Sequence, residues 1–148
     1  MPNYRRAFVP GGCLFFTVNL LERRKTLLVD HIHAVWTLPP SDGDFSLRWR
    51  LIKQRFAREL PKHERISAVR KARHERGIWQ RRFWEHLIRD EADYARHVEY
   101  CYINPVKHGL VSRVRDWPHW SFHRDVRAGI IPEDWAGDVD ASGAFGER

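Results

Sequence analysis

Residues 13–20, Cys-Leu-Phe-Phe-Thr-Val-Asn-Leu, and residues 31–38, His-Ile-His-Ala-Val-Trp-Thr-Leu, decide the architecture. In the first stretch Leu14, Phe16, Val18 and Leu20 alternate with Cys13, Phe15, Thr17 and Asn19, the period-two pattern of a strand. In the second, Ile32, Ala34, Trp36 and Leu38 make an apolar face, so His31 and His33 project together from the other side. Working outward, Leu38 to Asp44 contains Pro39, Pro40 and Gly43 and reads as a loop. Asp44 or Ser46 then caps a helix through about Leu60. Leu47, Leu51, Phe56 and Leu60 fall on or near one face of it, with Arg48, Arg50, Lys53, Arg55 and Arg58 largely elsewhere. Pro61 to Arg76 is basic and only weakly periodic. Ile78 to Ile88 reads as a third strand, and Asp90 caps a last helix through about Ile103, which Pro105 helps to end.

A chain of 148 residues and 17.7 kDa fits one domain, expected over residues 1–136, with 137–148 as a small, acidic, flexible tail. Its mean hydropathy of −0.60 and lack of a long apolar run exclude a transmembrane helix, and the first ten residues have no apolar segment of the kind a secretory signal needs. A cytoplasmic protein is the expectation, with Cys13 and Cys101 as reduced thiols. The net charge of +7 is uneven: residues 1–44 carry +1, residues 45–90 carry +9 and residues 91–148 carry −3. A basic middle third faces a polyanion, most commonly nucleic acid.

Nine histidines in 148 residues would place an H-x-H by chance about half the time, so the pair His31–His33 is weak as a motif alone. Its place on one strand face strengthens it, because two imidazoles can share a divalent cation that polarises a phosphoryl oxygen. A third ligand has to come from elsewhere; an amide oxygen suits a hard cation such as Mg²⁺ or Mn²⁺, and Asn104 can supply one. On the last helix Tyr94, Val98 and Cys101 form the stripe expected to face the core, whereas Tyr100 lies about 120° away, beside Asn104. On this count Tyr100 is a rim residue available for other work.

These segments together resemble a known family. Pro2-Asn3-Tyr4-Arg5-Arg6, Asp30-His31-Ile32-His33, the run Ile78 to His86 and the run Tyr100 to Val111 are similar to the REP-associated tyrosine transposases, a branch of the single-tyrosine HUH transposases, and Asp116-Trp117-Pro118 and Ser121-Phe122-His123 match as well. The resemblance implies an α+β, ferredoxin-like antiparallel sheet with helices on one face. It also implies action on single-stranded or hairpin DNA through a 5′-phosphotyrosine link and a free 3′-OH. Carried over residue by residue, Tyr100 is the nucleophile, and His31, His33 and Asn104 hold a divalent metal, Mg²⁺ or Mn²⁺. Arg48, Arg50, Lys53, Arg55, Arg81, Arg82 and Lys107 are the expected DNA contacts. A phenolate is a competent leaving group for the reverse step, so rejoining needs no ATP.

The chain departs from the family at one place. Where the family has a helix and another strand, Leu27-Leu28-Val29-Asp30 runs straight into His31, so roughly 30 residues and one strand with its covering helix are expected to be missing. That loss exposes a sheet edge and invites a homodimer. The alternative to an active enzyme is a non-catalytic DNA-binding remnant that stacks bases on tryptophans such as Trp49, Trp79 and Trp84. A third reading is a metal-dependent hydrolase or RNA-binding protein using the same groups.

Overall fold

The structure, a computed structural model, describes residues 6–21, 30–137 and 145–146. It divides into two compact units, residues 1–88 with 145–148, and residues 89–144.

The first unit is built on β1 (Cys13–Asn19), β2 (His31–Thr37) and β3 (Trp84–Leu87), an antiparallel sheet in the order β2-β1-β3. The register sets Thr17 opposite His33 and Asn19 opposite His31 on one side of β1, and Phe15 opposite His86 on the other. Leu14, Phe16, Val18 and Leu20 form the core side with Ile32, Ala34 and Trp36, as their alternation requires. The helix α1 (Phe45–Glu59) covers it, its first turn closed by Asp44, whose carboxylate accepts from the Leu47 amide at 2.8 Å. The side of α1 that packs is Phe45, Trp49 and Phe56; Leu47 and Leu51, expected on the buried face, are exposed. Large aromatic rings win the contact because Trp36 and Trp49 stack with centroids 4.4 Å apart and Phe45 meets Phe16 at 5.2 Å. Trp49 and Trp79 are consequently core residues, buried and out of reach of a nucleic-acid base.

The third strand is shorter than its sequence promises. Trp79 bridges Leu20, then the chain leaves the ladder until Trp84. Lys53 of α1 explains the break: its ammonium takes the carbonyl of Gln80 at 2.6 Å and approaches that of Arg81 at 3.5 Å, so those oxygens face the helix and not a strand. Within the basic stretch a short helix, α2 (Ala68–Ala72), is capped by Ser67. Phe145 lies in the segment expected as a flexible tail, yet it is buried: its carbonyl accepts from the Thr17 hydroxyl at 2.5 Å and its ring meets Phe15 edge-on. Gly146 follows at a φ of 75°, where a Cβ would fall 2.5 Å from that of Trp84, so glycine alone lets the chain approach so closely.

The second unit is led by α3 (Glu91–Lys107), with a 3₁₀ turn (Val114–Asp116) and α4 (Phe122–Arg127). Tyr102, Val114 and Phe122 form its core, with Val98, Val106 and Trp135 packed against them. Asp90 caps α3, accepting from the Asp93 amide at 2.8 Å, and the helix runs through Pro105 to Lys107 instead of stopping at Ile103. The end is set one turn later by Gly109 at φ 68°, with Leu110 N–H on the Pro105 carbonyl and Gly109 N–H on that of Val106. Among the described residues no helix is long and apolar enough to cross a membrane.

Candidate active site

In the first unit the imidazoles of His31 and His33 stand with centroids 4.5 Å apart. Each ring is oriented through Nδ1. His31 Nδ1 lies 2.5 Å from an Asp30 carboxylate oxygen, which can only accept, so Nδ1 carries the proton. His33 Nδ1 lies 2.9 Å from the Thr17 hydroxyl. Because Thr17 gives its own proton to the Phe145 carbonyl, its oxygen accepts from His33, which again places the proton on Nδ1. Phe15 stacks on the His33 ring at 5.4 Å. Both histidines are thereby set in the tautomer with the lone pair on Nε2, the form that binds a metal, and each has the carboxylate or hydroxyl partner that metal-bound histidines typically show. Asn19, paired in register with His31, is buried, and its Oδ1 has no hydrogen-bond partner among the described residues. An orphaned amide oxygen beside two oriented imidazoles fits a divalent cation well. The residues of this strand pair therefore suit the ion that the H-x-H pattern suggests.

In the second unit Tyr100 and Asn104 stand on α3. The helix is buried on two sides, which corrects the angular reading: Tyr100 is fully buried and Tyr94 is exposed, while Val98 and Tyr102 pack in the unit's core. Asp93, His97, Tyr100 and Asn104, spaced four, three and four residues apart, make a second buried stripe that is polar throughout. Hydrophobic periodicity finds an apolar stripe and is blind to a polar one. Asp93 accepts from the Arg89 amide at 3.1 Å, and His97 Nδ1 is held to the Asp93 carbonyl at 2.8 Å, so the first turns of the stripe are fixed by the helix itself. Lys107 donates to the Tyr100 oxygen at 2.7 Å. Cys101, next to Tyr100, has a thiol that burial pushes up to about 12, which keeps it protonated and unreactive.

The expected DNA contacts divide. Arg50, Arg55, Arg81 and Arg82 are exposed, with Arg55 near Glu59 at 3.6 Å and Arg81 paired with Glu75 at 2.8 Å. Arg48 is exposed and bound to Asp42 at 2.5 Å. Lys53 is half-buried on the Gln80 carbonyl, and burial, then the nearby Arg6 charge, bring its pKa down to about 8. The N-terminal and third-strand motifs meet here: Arg6 donates to Glu85 at 2.7 Å and lies over the Phe83 ring at 3.8 Å. Thr17 and Asn19 are the site residues that sequence reasoning missed. Alternation puts them on the non-core side of β1, but only the register sets them against His33 and His31.

The antiparallel sheet carries the histidine pair and α3 carries the tyrosine and asparagine, the residues on which the resemblance to tyrosine transposases was read, in an α+β fold. The comparisons agree. The chain is 44% identical to a REP-associated tyrosine transposase of Escherichia coli, over 100% of this chain and 98% of the relative, in an alignment of 176 residues. A Haemophilus influenzae protein carrying the same family name is 45% identical over 95% of this chain and 96% of its own length. A solved structure of a REP-associated tyrosine transposase bound to a REP hairpin matches with a TM-score of 0.83 and 44% identity, covering 100% of this chain and 98% of that one. The chain matches no family profile. It belongs to the REP-associated tyrosine transposases, and its α+β fold is theirs.

Proposed function

We propose that this chain cleaves and rejoins single-stranded or hairpin DNA, with Tyr100 as the nucleophile that forms a 5′-phosphotyrosine link. The observation that carries this reading is the pair of fixed imidazole tautomers at His31 and His33, a preparation for a ligand role that a plain core histidine does not need. His31, His33 and the amide oxygen of Asn104 are the groups assigned to a divalent ion, Mg²⁺ or Mn²⁺, which when bound supplies Lewis-acid polarisation of a phosphoryl oxygen. The hairpin-bound relative supports a DNA partner, and the exposed Arg48, Arg50, Arg55, Arg81 and Arg82 supply phosphate contacts. Action on DNA fits the cytoplasm.

The chain is also read as a shortened member of its family. An alignment extending over 176 residues against 148 in this chain supports an internal loss, placed by sequence just before β2. The stretch 22–29, where that loss falls, lies outside the described residues. Among the described residues β2 pairs only with β1, which supports pairing of β2 edges in a homodimer.

Tyr100→Phe keeps the ring and removes the attacking oxygen. With labelled hairpin DNA and Mn²⁺, the parent is expected to give a covalent adduct on denaturing gels, and the variant none, with equal binding. An undiminished adduct in the variant refutes Tyr100 as nucleophile. A parent that binds the hairpin but never forms an adduct establishes the non-catalytic remnant instead.

A further inference from the structure

Seven residues separate Tyr100 from Lys107, two turns of α3, so their side chains share one side of the helix. Lys107 is an exposed residue, but its Nζ donates to the Tyr100 oxygen at 2.7 Å in a part-buried contact. Nζ also stands over the ring, 4.8 Å from its centroid, so the ammonium is held by the oxygen, much the nearer of the two, and by the ring face together. A cation placed only to complement the helix dipole or to meet a phosphate would keep its charge in water. Here it is brought to a buried phenol.

The chemistry gives that contact a purpose. A phenol with an ordinary pKa near 10 is neutral at physiological pH, and burial disfavours its anion further. A donated, charge-assisted hydrogen bond favours the anion and is about twice as strong as a neutral one. Asp93 and His97, the titratable groups on the same side of α3, are engaged near the helix start. Lys107 donates to the oxygen itself.

We propose that Lys107 is a catalytic residue whose ε-ammonium carries the negative charge of the Tyr100 oxygen during strand cleavage and rejoining; this rests on the phosphotyrosine reading above. In cleavage the phenolic proton passes to water and the tyrosine oxygen's lone pair forms the new O–P bond. The P–O3′ bond breaks, its electron pair stays on O3′, and that oxygen takes a proton from water to become the 3′-OH. In rejoining, a 3′ oxygen attacks the phosphotyrosine and the tyrosine leaves as a phenolate onto the same ammonium. Nothing is oxidised or reduced.

The test uses the full chain with labelled hairpin DNA and Mn²⁺ in single turnover, at protein concentrations that saturate binding. Lys107→Met is expected to slow adduct formation at saturation by about 100-fold, the scale of losing one charge-stabilising donor, while the dissociation constant changes less than about threefold. Lys107→Arg should recover most of the rate. In ¹³Cζ-tyrosine-labelled protein at fixed pH, the Tyr100 resonance, identified by its absence from Tyr100→Phe, should move in Lys107→Met and return toward its parental position in Lys107→Arg. If Lys107→Met melts early, Lys107→Gln, which keeps a donor without the charge, is read in the same way. A variant that matches the parent at saturation, loses only affinity, or leaves the Tyr100 resonance in place overturns the assignment. If the parent itself forms no adduct, or Tyr100→Phe still forms one, the phosphotyrosine reading fails and Lys107 falls with it.

Discussion

Lys53 and Arg50 sit three residues apart in the same basic run, and nothing in their order distinguishes them. Their surroundings do. Arg50 is exposed, whereas the Lys53 ammonium lies on the Gln80 carbonyl and is desolvated enough to fall to about 8. Removing Lys53 leaves a carbonyl without its donor, at a cost of about 1 to 3 kcal/mol. Lys53→Ala is therefore expected to lower the thermal midpoint and to leave the salt dependence of hairpin binding as it was. Arg50→Ala should do the reverse, reducing the slope of log affinity against log salt by about one while the midpoint stays. Fluorescence melting and binding at three salt concentrations check both; equal slopes in the two variants would refute the division.

At the scale of elements, the end of α1 depends on a residue seventeen positions beyond it. Arg76 donates to the carbonyls of Ala57, Leu60 at 2.8 Å and Pro61 at 2.8 Å, and pairs with Glu64, 2.7 Å from one of its oxygens. One guanidinium thus meets one carbonyl of the last turn of α1, that of its C-cap and that of the residue beyond. That hydrogen bond holds the Glu64 carboxyl at about 2, below its ordinary 4.5. A carboxylate with a depressed pKa stabilises the fold above its unfolded value and loses that contribution as pH falls from 4.5 through 2. Urea midpoints measured across this window are expected to drop for the parent, and the Glu64→Gln variant should start lower and show a shallower decline. Arg76→Met strands a buried carboxylate and should cost about 3 kcal/mol or more at pH 7. An unchanged urea midpoint in Arg76→Met would mean that α1 ends without its help.

For the whole molecule the telling strand is β2. Its seven residues contain no proline and no lysine, the usual guards of an edge. Two copies pairing antiparallel about Ala34 would set Ile32 opposite Trp36 of the second copy and continue the apolar side of the sheet. Sedimentation equilibrium is expected to show a concentration-dependent dimer. Inserting a strand-helix segment between Asp30 and His31 should return the chain to a monomer and raise its melting midpoint. A monomer across micromolar concentrations in the present chain would show that the edge is covered.

The sequence alone determined whatever repeats with a local period or sits at a local boundary. Strand alternation at 13–20 and 31–38 placed β1, β2 and the shared side of His31 and His33, and Asp44 and Asp90 marked the helix starts where their carboxylates meet backbone amides three residues on. Motif resemblance supplied the family. Only the tertiary structure decided which tryptophans are core, why the third strand breaks before Trp84, and that Phe145 is seated on Thr17 and Phe15. It also decided the tautomers of the histidine pair and the burial of Tyr100 beside the Lys107 ammonium. The reason is common to all of these. A single apolar stripe is written in the order of residues along one element, whereas register, a second buried side and a hydrogen bond between distant residues depend on what the fold brings alongside it.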